Sequence, residues 1–145
     1  MELGQSVPSV EYDLPYLNCS SSNILTDSFE EETLLCYFWS ISCGTCKEIA
    51  THLQRDLSEY PTQVKLVSVH VPFSEDERCV ESITNFSNSN HYAFPIILDQ
   101  YHEYVSLFNL KIVPVFLLFN RDKVLQHKII GVDGYKKVKE LLKGN

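Results

Sequence analysis

A short apolar, aromatic-rich run, Leu34-Leu35-Cys36-Tyr37-Phe38-Trp39, leads directly into Ser40-Ile41-Ser42-Cys43-Gly44-Thr45-Cys46-Lys47. The run reads as a buried strand. Beyond the cysteines, Ile49, Ala50, Leu53, Leu57 and Tyr60 recur at helical spacing with polar residues between them. A Cys-x-x-Cys pair therefore sits where a buried strand becomes an amphipathic helix. The first N–H groups of a helix lack intrahelical partners and favour negative charge. A thiolate at Cys43 is stabilised there, and the thiolate is the nucleophilic form of cysteine. Cys46, one turn on, is within reach for a disulfide. The pattern predicts a dithiol placed for thiol–disulfide exchange.

The chain's 145 residues are enough for one domain with a sizeable core, and one domain, 1–145, accounts for every predicted element. Nineteen acidic against twelve basic residues give a net charge of −7, with no basic stripe for phosphates. Nucleic acid and anionic lipid are disfavoured as partners. No apolar run is long enough to span a bilayer. The N-terminus lacks the basic, apolar and small-residue segments of a signal peptide, so a cytoplasmic location is expected for the chain as written, an exported or tethered form with its leader removed being the alternative. Five cysteines, three of them far from the pair, do not form the disulfide framework of a small secreted domain.

Along the chain, Val10-Glu11-Tyr12-Asp13-Leu14 alternates like an edge strand, and Ile24-Leu25 is a candidate second strand after the turn-rich Asn18–Asn23. Asp27 to Thr33 reads as an acidic loop or one helical turn. Pro61 closes the first helix, and Val64 to Val71 is a β-branched central strand, so strand, helix and strand form a parallel crossover unit. Ser74, followed by Glu75, Asp76 and Glu77, predicts a capped helix carrying Val80, Ile83 and Phe86. Phe94 to Leu98 is a further strand. Tyr101, Tyr104, Val105 and Phe108 suit a short helix ending near Asn109. Val115–Phe119 and Val124–Ile130 form a hairpin about Asn120–Lys123. A C-terminal helix carries Tyr135, Val138, Leu141 and Leu142, capped by Asp133.

A Cys-x-x-Cys pair is also half of a structural zinc site, which needs two further ligands. His52, His70, His91, His102 and His127 are scattered and supply no pair at ligand spacing. A strand-to-helix setting favours redox chemistry instead. Proline at the head of the Val115 strand removes a ladder donor. It marks Val113–Pro114 as a candidate cis bond, beside a backbone edge free to pair with an extended substrate. Cys36 reads as a small core hydrophobe, while Cys19 and Cys79 are candidate exposed thiols. The histidines read as surface or packed side chains rather than ligands, and His70, at the end of a core strand, is singled out among them.

The Phe38-Trp39…Cys43-Gly44-Thr45-Cys46-Lys47 run, Val113-Pro114, and the hairpin ending at Gly131 resemble the thioredoxin superfamily. Leu3-Gly4-Gln5-Ser6-Val7-Pro8, Phe94-Pro95-Ile96-Ile97-Leu98-Asp99 and the segment Ser74 to Leu98 resemble the narrower TlpA/ResA-like thiol-disulfide oxidoreductases, of redoxin type. The resemblance implies a thioredoxin-like α/β fold: a central mixed sheet flanked by helices, an N-terminal β-hairpin extension, and an inserted helix and strand before the cis proline. It implies that Cys43 attacks and Cys46 resolves, and that Pro114 is the cis proline. It places Trp39, Gly44, Thr45 and Val113 with Pro114 on the substrate side. No metal or organic cofactor is implied. The implied partners are a disulfide-bearing protein or small thiol and a recycling reductase or dithiol donor. Tyr37 stands where thioredoxin has a buried aspartate, and Ile49 where ResA-like proteins have a glutamate, so the group that takes the proton of Cys46 is not assigned. Cys43 is not preceded by the Pro-x-x-x-Thr-x-x pattern of peroxidatic cysteines. The competing class is a thioredoxin-like binding module whose cysteine pair holds copper or zinc or docks a partner.

Overall fold

The computed structural model describes residues 2–7, 10, 13–21, 25, 33–57, 59 and 64–143. Among the described residues six strands form one mixed sheet: β1 (Tyr16–Leu17), β2 (Thr33–Trp39), β3 (Val64–His70), β4 (Ile96–Leu98), β5 (Val115–Phe119) and β6 (Leu125–Ile130), in the order β1-β4-β3-β2-β5-β6. Strands β2, β3 and β4 run parallel; β1, β5 and β6 are antiparallel to their neighbours. The α-helices whose bounds fall among the described residues are α1 (Gly44–Leu57), α2 (Val80–Ser89), α3 (Glu103–Leu107) and α4 (Gly134–Lys143).

Strand β2 is central because its sequence is apolar on both faces: Leu34 to Trp39 are all fully buried. Alternate residues serve two cores. Leu34, Cys36 and Phe38 face the layer that holds α3. Leu35, Tyr37 and Trp39 face the layer of α1, α2 and α4. Helix α1 contributes Cys46, Ile49, Ala50 and Leu53 to that second layer, as its periodicity predicts. Tyr60 and Pro61 lie outside the described residues. At the N-terminus of α4 the fold requires glycine. A Cβ on Gly134 would stand 2.5 Å from Ile129 Cγ2 and 3.3 Å from the Phe116 ring.

Three sequence expectations are corrected. The predicted N-terminal hairpin is absent among the described residues. Val10, Asp13 and Leu14 are not in a strand, and Leu25 is helical; Glu11, Tyr12 and Ile24 lie outside the described residues. Val10, Leu14 and Leu25 are instead buried in the core on the α3 side, so burial rather than strand pairing explains their apolar character. Two other N-terminal segments pair at opposite sheet edges: β1 joins β4, while Ser6 bridges Val124 beside β6. The helix expected to open at Ser74 is two elements, a 3-10 turn at Asp76–Arg78 and then α2. The extended backbone of Cys79 (ψ 106°) separates them. Thr33, placed in the acidic loop, opens β2.

Candidate active site

The parallel β2–α1–β3 unit brings the cysteine loop to the C-terminal end of the sheet. Cys43 occupies the position that caps α1. Its N–H donates to the Ser40 carbonyl at 3.0 Å, and its own carbonyl accepts the Lys47 N–H at 3.2 Å. Its Sγ accepts the Cys46 N–H at 3.2 Å, as a capping side chain does. The two sulfurs are joined in a disulfide, with Cα atoms 5.2 Å apart. Cys43 is half-buried and Cys46 fully buried, so only the first sulfur is open to a partner.

The Val113–Pro114 bond is cis. Antiparallel pairing sets Phe38 opposite Val115, which puts Pro114 at the end of β5 beside the end of β2 from which the cysteine loop leaves. Val113 and Cys43 pack against the same apolar cluster. Pro114 itself is buried, and its carbonyl accepts the Gly131 N–H at 2.9 Å. Beyond Val113 a cavity of about 200 Å³ lies among Val71, Phe73, Leu110, Lys111 and Ile112. Phe73 and Ile112 are each 52% exposed at this end of the sheet. Gly44 and Thr45 are exposed. Trp39 is placed differently from Gly44 and Thr45, being wholly buried below the loop. Its indole N–H donates to Ser68 Oγ at 3.1 Å, and its ring meets His70 edge-on at 5.0 Å.

Tyr37, at the position of the missing aspartate, has a function of its own. Its hydroxyl donates to the Cys46 carbonyl at 2.7 Å and ties β2 to the first turn of α1. Burial pushes its phenol far above the ordinary value, so the residue is a donor there and not a base.

Sequence reasoning missed Glu77. Its carboxylate accepts hydrogen bonds from Ser40 Oγ at 2.5 Å, Ser42 Oγ at 2.9 Å and Ser74 Oγ at 3.1 Å. These bonds hold its pKa below the usual carboxylate range against partial desolvation. No local signal marks it, because it lies 35 residues from Ser42 in the chain. His70, singled out from its place on β3, is indeed at the site. Its Nε2 accepts the Ile41 N–H at 3.1 Å. Its ring is buried with no partner at Nδ1, and burial pushes its pKa down to about 4.

The other thiols lie elsewhere. Cys36 is buried, which pushes its thiol well above the ordinary range. Cys19 is half-buried and donates to the Ser21 carbonyl at 3.5 Å. Cys79 is exposed, and hydrogen bonds from the Ser82 hydroxyl and backbone lower its pKa. Among the described residues no three His, Cys, Asp or Glu side chains gather as metal ligands. Among them, too, no helix is long and apolar enough to cross a membrane.

Fold and site together define a thiol-disulfide oxidoreductase with a thioredoxin-like architecture and a Cys43–Cys46 redox pair. Residues 3–128 match the AhpC/TSA family, and the chain belongs to it. It is similar to the thioredoxin-like protein SkfH of Bacillus subtilis, with 32% identity over 90% of each chain. It is also similar to the thiol-disulfide oxidoreductase YkuV of the same organism, with 29% identity over 94% of this chain and 90% of the other. Among solved structures, the oxidised form of a thioredoxin-like protein superposes with a TM-score of 0.84 at 28% identity, covering 99% of this chain and 95% of that one. StoA of Bacillus subtilis shares the fold, with a TM-score of 0.72 at 24% identity over 94% of this chain and 98% of its own.

Proposed function

We propose that the Cys43-Gly44-Thr45-Cys46 pair exchanges disulfides with a protein or small-thiol partner, Cys43 attacking and Cys46 resolving. The observation that carries this reading is the asymmetry of the pair. Cys43 is accessible and caps α1, while Cys46 is fully buried behind it. Starting from the dithiol, the Cys43 thiolate attacks one sulfur of a substrate disulfide. The second substrate sulfur leaves as a thiolate and takes up a proton. Cys46 then loses its proton and attacks Cys43 Sγ, releasing the first substrate sulfur as a thiol. Two electrons pass to the substrate, and the pair ends as the disulfide. A second dithiol, from a reductase or small-thiol donor, returns it to the reduced state. Run backwards, the same steps oxidise a substrate.

In this reading the backbone of Val113, the residue ahead of the buried cis Pro114, pairs with an extended substrate strand, and the exposed Gly44 and Thr45 of the cysteine loop contact it as well. Trp39, buried under the loop, supports the site from below.

The test is capture. Cys46→Ser retains partners as mixed disulfides on Cys43, seen on non-reducing gels, because only Cys46 resolves the intermediate. Cys43→Ser retains none. Equal capture by both variants, or by neither, refutes the mechanism. Loss of a stoichiometric copper or zinc ion from both variants, with no capture, supports a metal-binding module instead.

A further inference from the structure

Three successive residues ahead of Cys43 are held from the β3 side. Ser40 and Ser42 both donate to one oxygen of Glu77, at 2.5 and 2.9 Å. Between them the Ile41 N–H donates to His70 Nε2 at 3.1 Å. Glu77 lies in the 3-10 turn after β3, and Ser74 Oγ holds its other oxygen at 3.1 Å. The loop does not need this carboxylate to turn, since the Cys43 N–H to Ser40 carbonyl bond already closes it. What Glu77 adds is a fixed negative charge, one hydrogen bond from the residue that precedes the accessible sulfur.

From this geometry we propose that Glu77 is a positioning residue that biases the Cys43–Cys46 pair toward the disulfide and so makes the dithiol a stronger reductant. The proposal rests on the exchange reading above. Two effects act in the same direction. The carboxylate charge disfavours a thiolate at Cys43 and so opposes the N-terminus of α1. A hydroxyl also has only one proton to give. With the Ser42 proton committed to Glu77, that hydroxyl cannot donate to a Cys43 thiolate. Disfavouring the thiolate disfavours the reduced state, which is the only state in which it exists. Other charged groups near the pair are Lys47 and Glu48 on α1, Lys111 beside Val113, and Asp133, Lys136 and Lys139, which line a cleft with Thr45. The Lys47 ammonium lies over the Phe86 ring, 5.3 Å from its centre. His70, the titratable group facing the same loop, is neutral at pH 7 because burial holds its pKa far below that pH.

The experiment equilibrates wild type, Glu77→Gln and Glu77→Asp with glutathione buffers at pH 7, and titrates Cys43 by alkylation of each reduced protein. Glutamine keeps the shape and one acceptor oxygen but removes the charge. In Glu77→Gln the Cys43 thiol pKa falls by about 0.5. The equilibrium moves toward the dithiol by up to about threefold, ~14 mV at 29.6 mV per tenfold, the full value being reached where the Cys43 thiol is wholly ionised. Glu77→Asp keeps the charge and restores most of both values. A purely structural clamp lowers the melting temperature and leaves both values unmoved, and that result overturns the proposal. If the pair fails to exchange with glutathione in the wild type, the exchange reading itself fails, a result distinct from unchanged values in Glu77→Gln.

Discussion

Tyr37→Phe isolates the contribution of one hydroxyl at the position where thioredoxin buries a carboxylate. The Tyr37 ring is fully buried and stacks on Phe116 with centroids 5.1 Å apart. Phenylalanine keeps that stacking and leaves no cavity. What is lost is the 2.7 Å bond from the hydroxyl to the Cys46 carbonyl. That carbonyl lies inside α1, where the Ala50 N–H is its helical partner, so it is not orphaned. The expected loss is therefore one net hydrogen bond, about 1 kcal/mol, and a melting temperature lower by roughly 2–4 °C. The redox chemistry is expected to hold. Burial pushes the phenol far above neutral pH, so it takes no proton from Cys46 in the working range. The assay pairs denaturant unfolding, followed by the fluorescence of the single tryptophan, with the pH profile of exchange. A changed profile in Tyr37→Phe, with the apparent pKa moved by about 0.5 or more, would refute the reasoning and make the phenol part of the proton path.

His70 makes stability sensitive to acid. Its folded pKa, about 4, lies below the ordinary value of 6.5, so the unfolded chain binds the extra proton between those values. Stability is intact above pH 6.5 and falls by about 3 kcal/mol as pH drops to about 4. His70→Gln keeps an acceptor for the Ile41 N–H and does not titrate, so its unfolding free energy is expected to fall less steeply over that interval. An unchanged slope assigns the acid sensitivity to other groups. Gly134→Ala forces a Cβ to within 2.5 Å of Ile129 Cγ2 and is expected to destabilise the protein by roughly 1–3 kcal/mol, measured by denaturant unfolding. A neutral result shows that the α4 terminus shifts freely over β6.

The elements that the sequence reveals are those whose cause is local. The burial of β2 follows from a continuous apolar run, and the helical position of the cysteine pair from the spacing of Ile49, Ala50 and Leu53. The cis bond at Pro114 was legible because a proline at the head of a buried strand cannot complete the ladder. The hairpin turn was legible because Asn120 accepts the N–H groups of Asp122 and Val124, at 2.9 and 3.0 Å, within its own loop. The N-terminal region misled for a physical reason. Alternating apolar residues such as Val10 and Leu14 report burial, and burial does not require a paired strand. The true β1 has only two residues, too few for any periodicity.

The amino-acid sequence by itself determined the redox pair, the strand and helix that carry it, and the proline at the head of β5, because each depends on neighbours a few residues apart. Tertiary structure decided how the site is held. It gave Tyr37 the Cys46 carbonyl as partner, and it brought Glu77 and His70 to Ser40, Ile41 and Ser42 across 29 to 37 residues of chain. Contacts of that span depend on the parallel pairing of β2 with β3, which sets Trp39 opposite His70 and carries the following turn back over the cysteine loop. No local pattern encodes that meeting, since neither a lone glutamate nor a lone histidine has a spacing to be read.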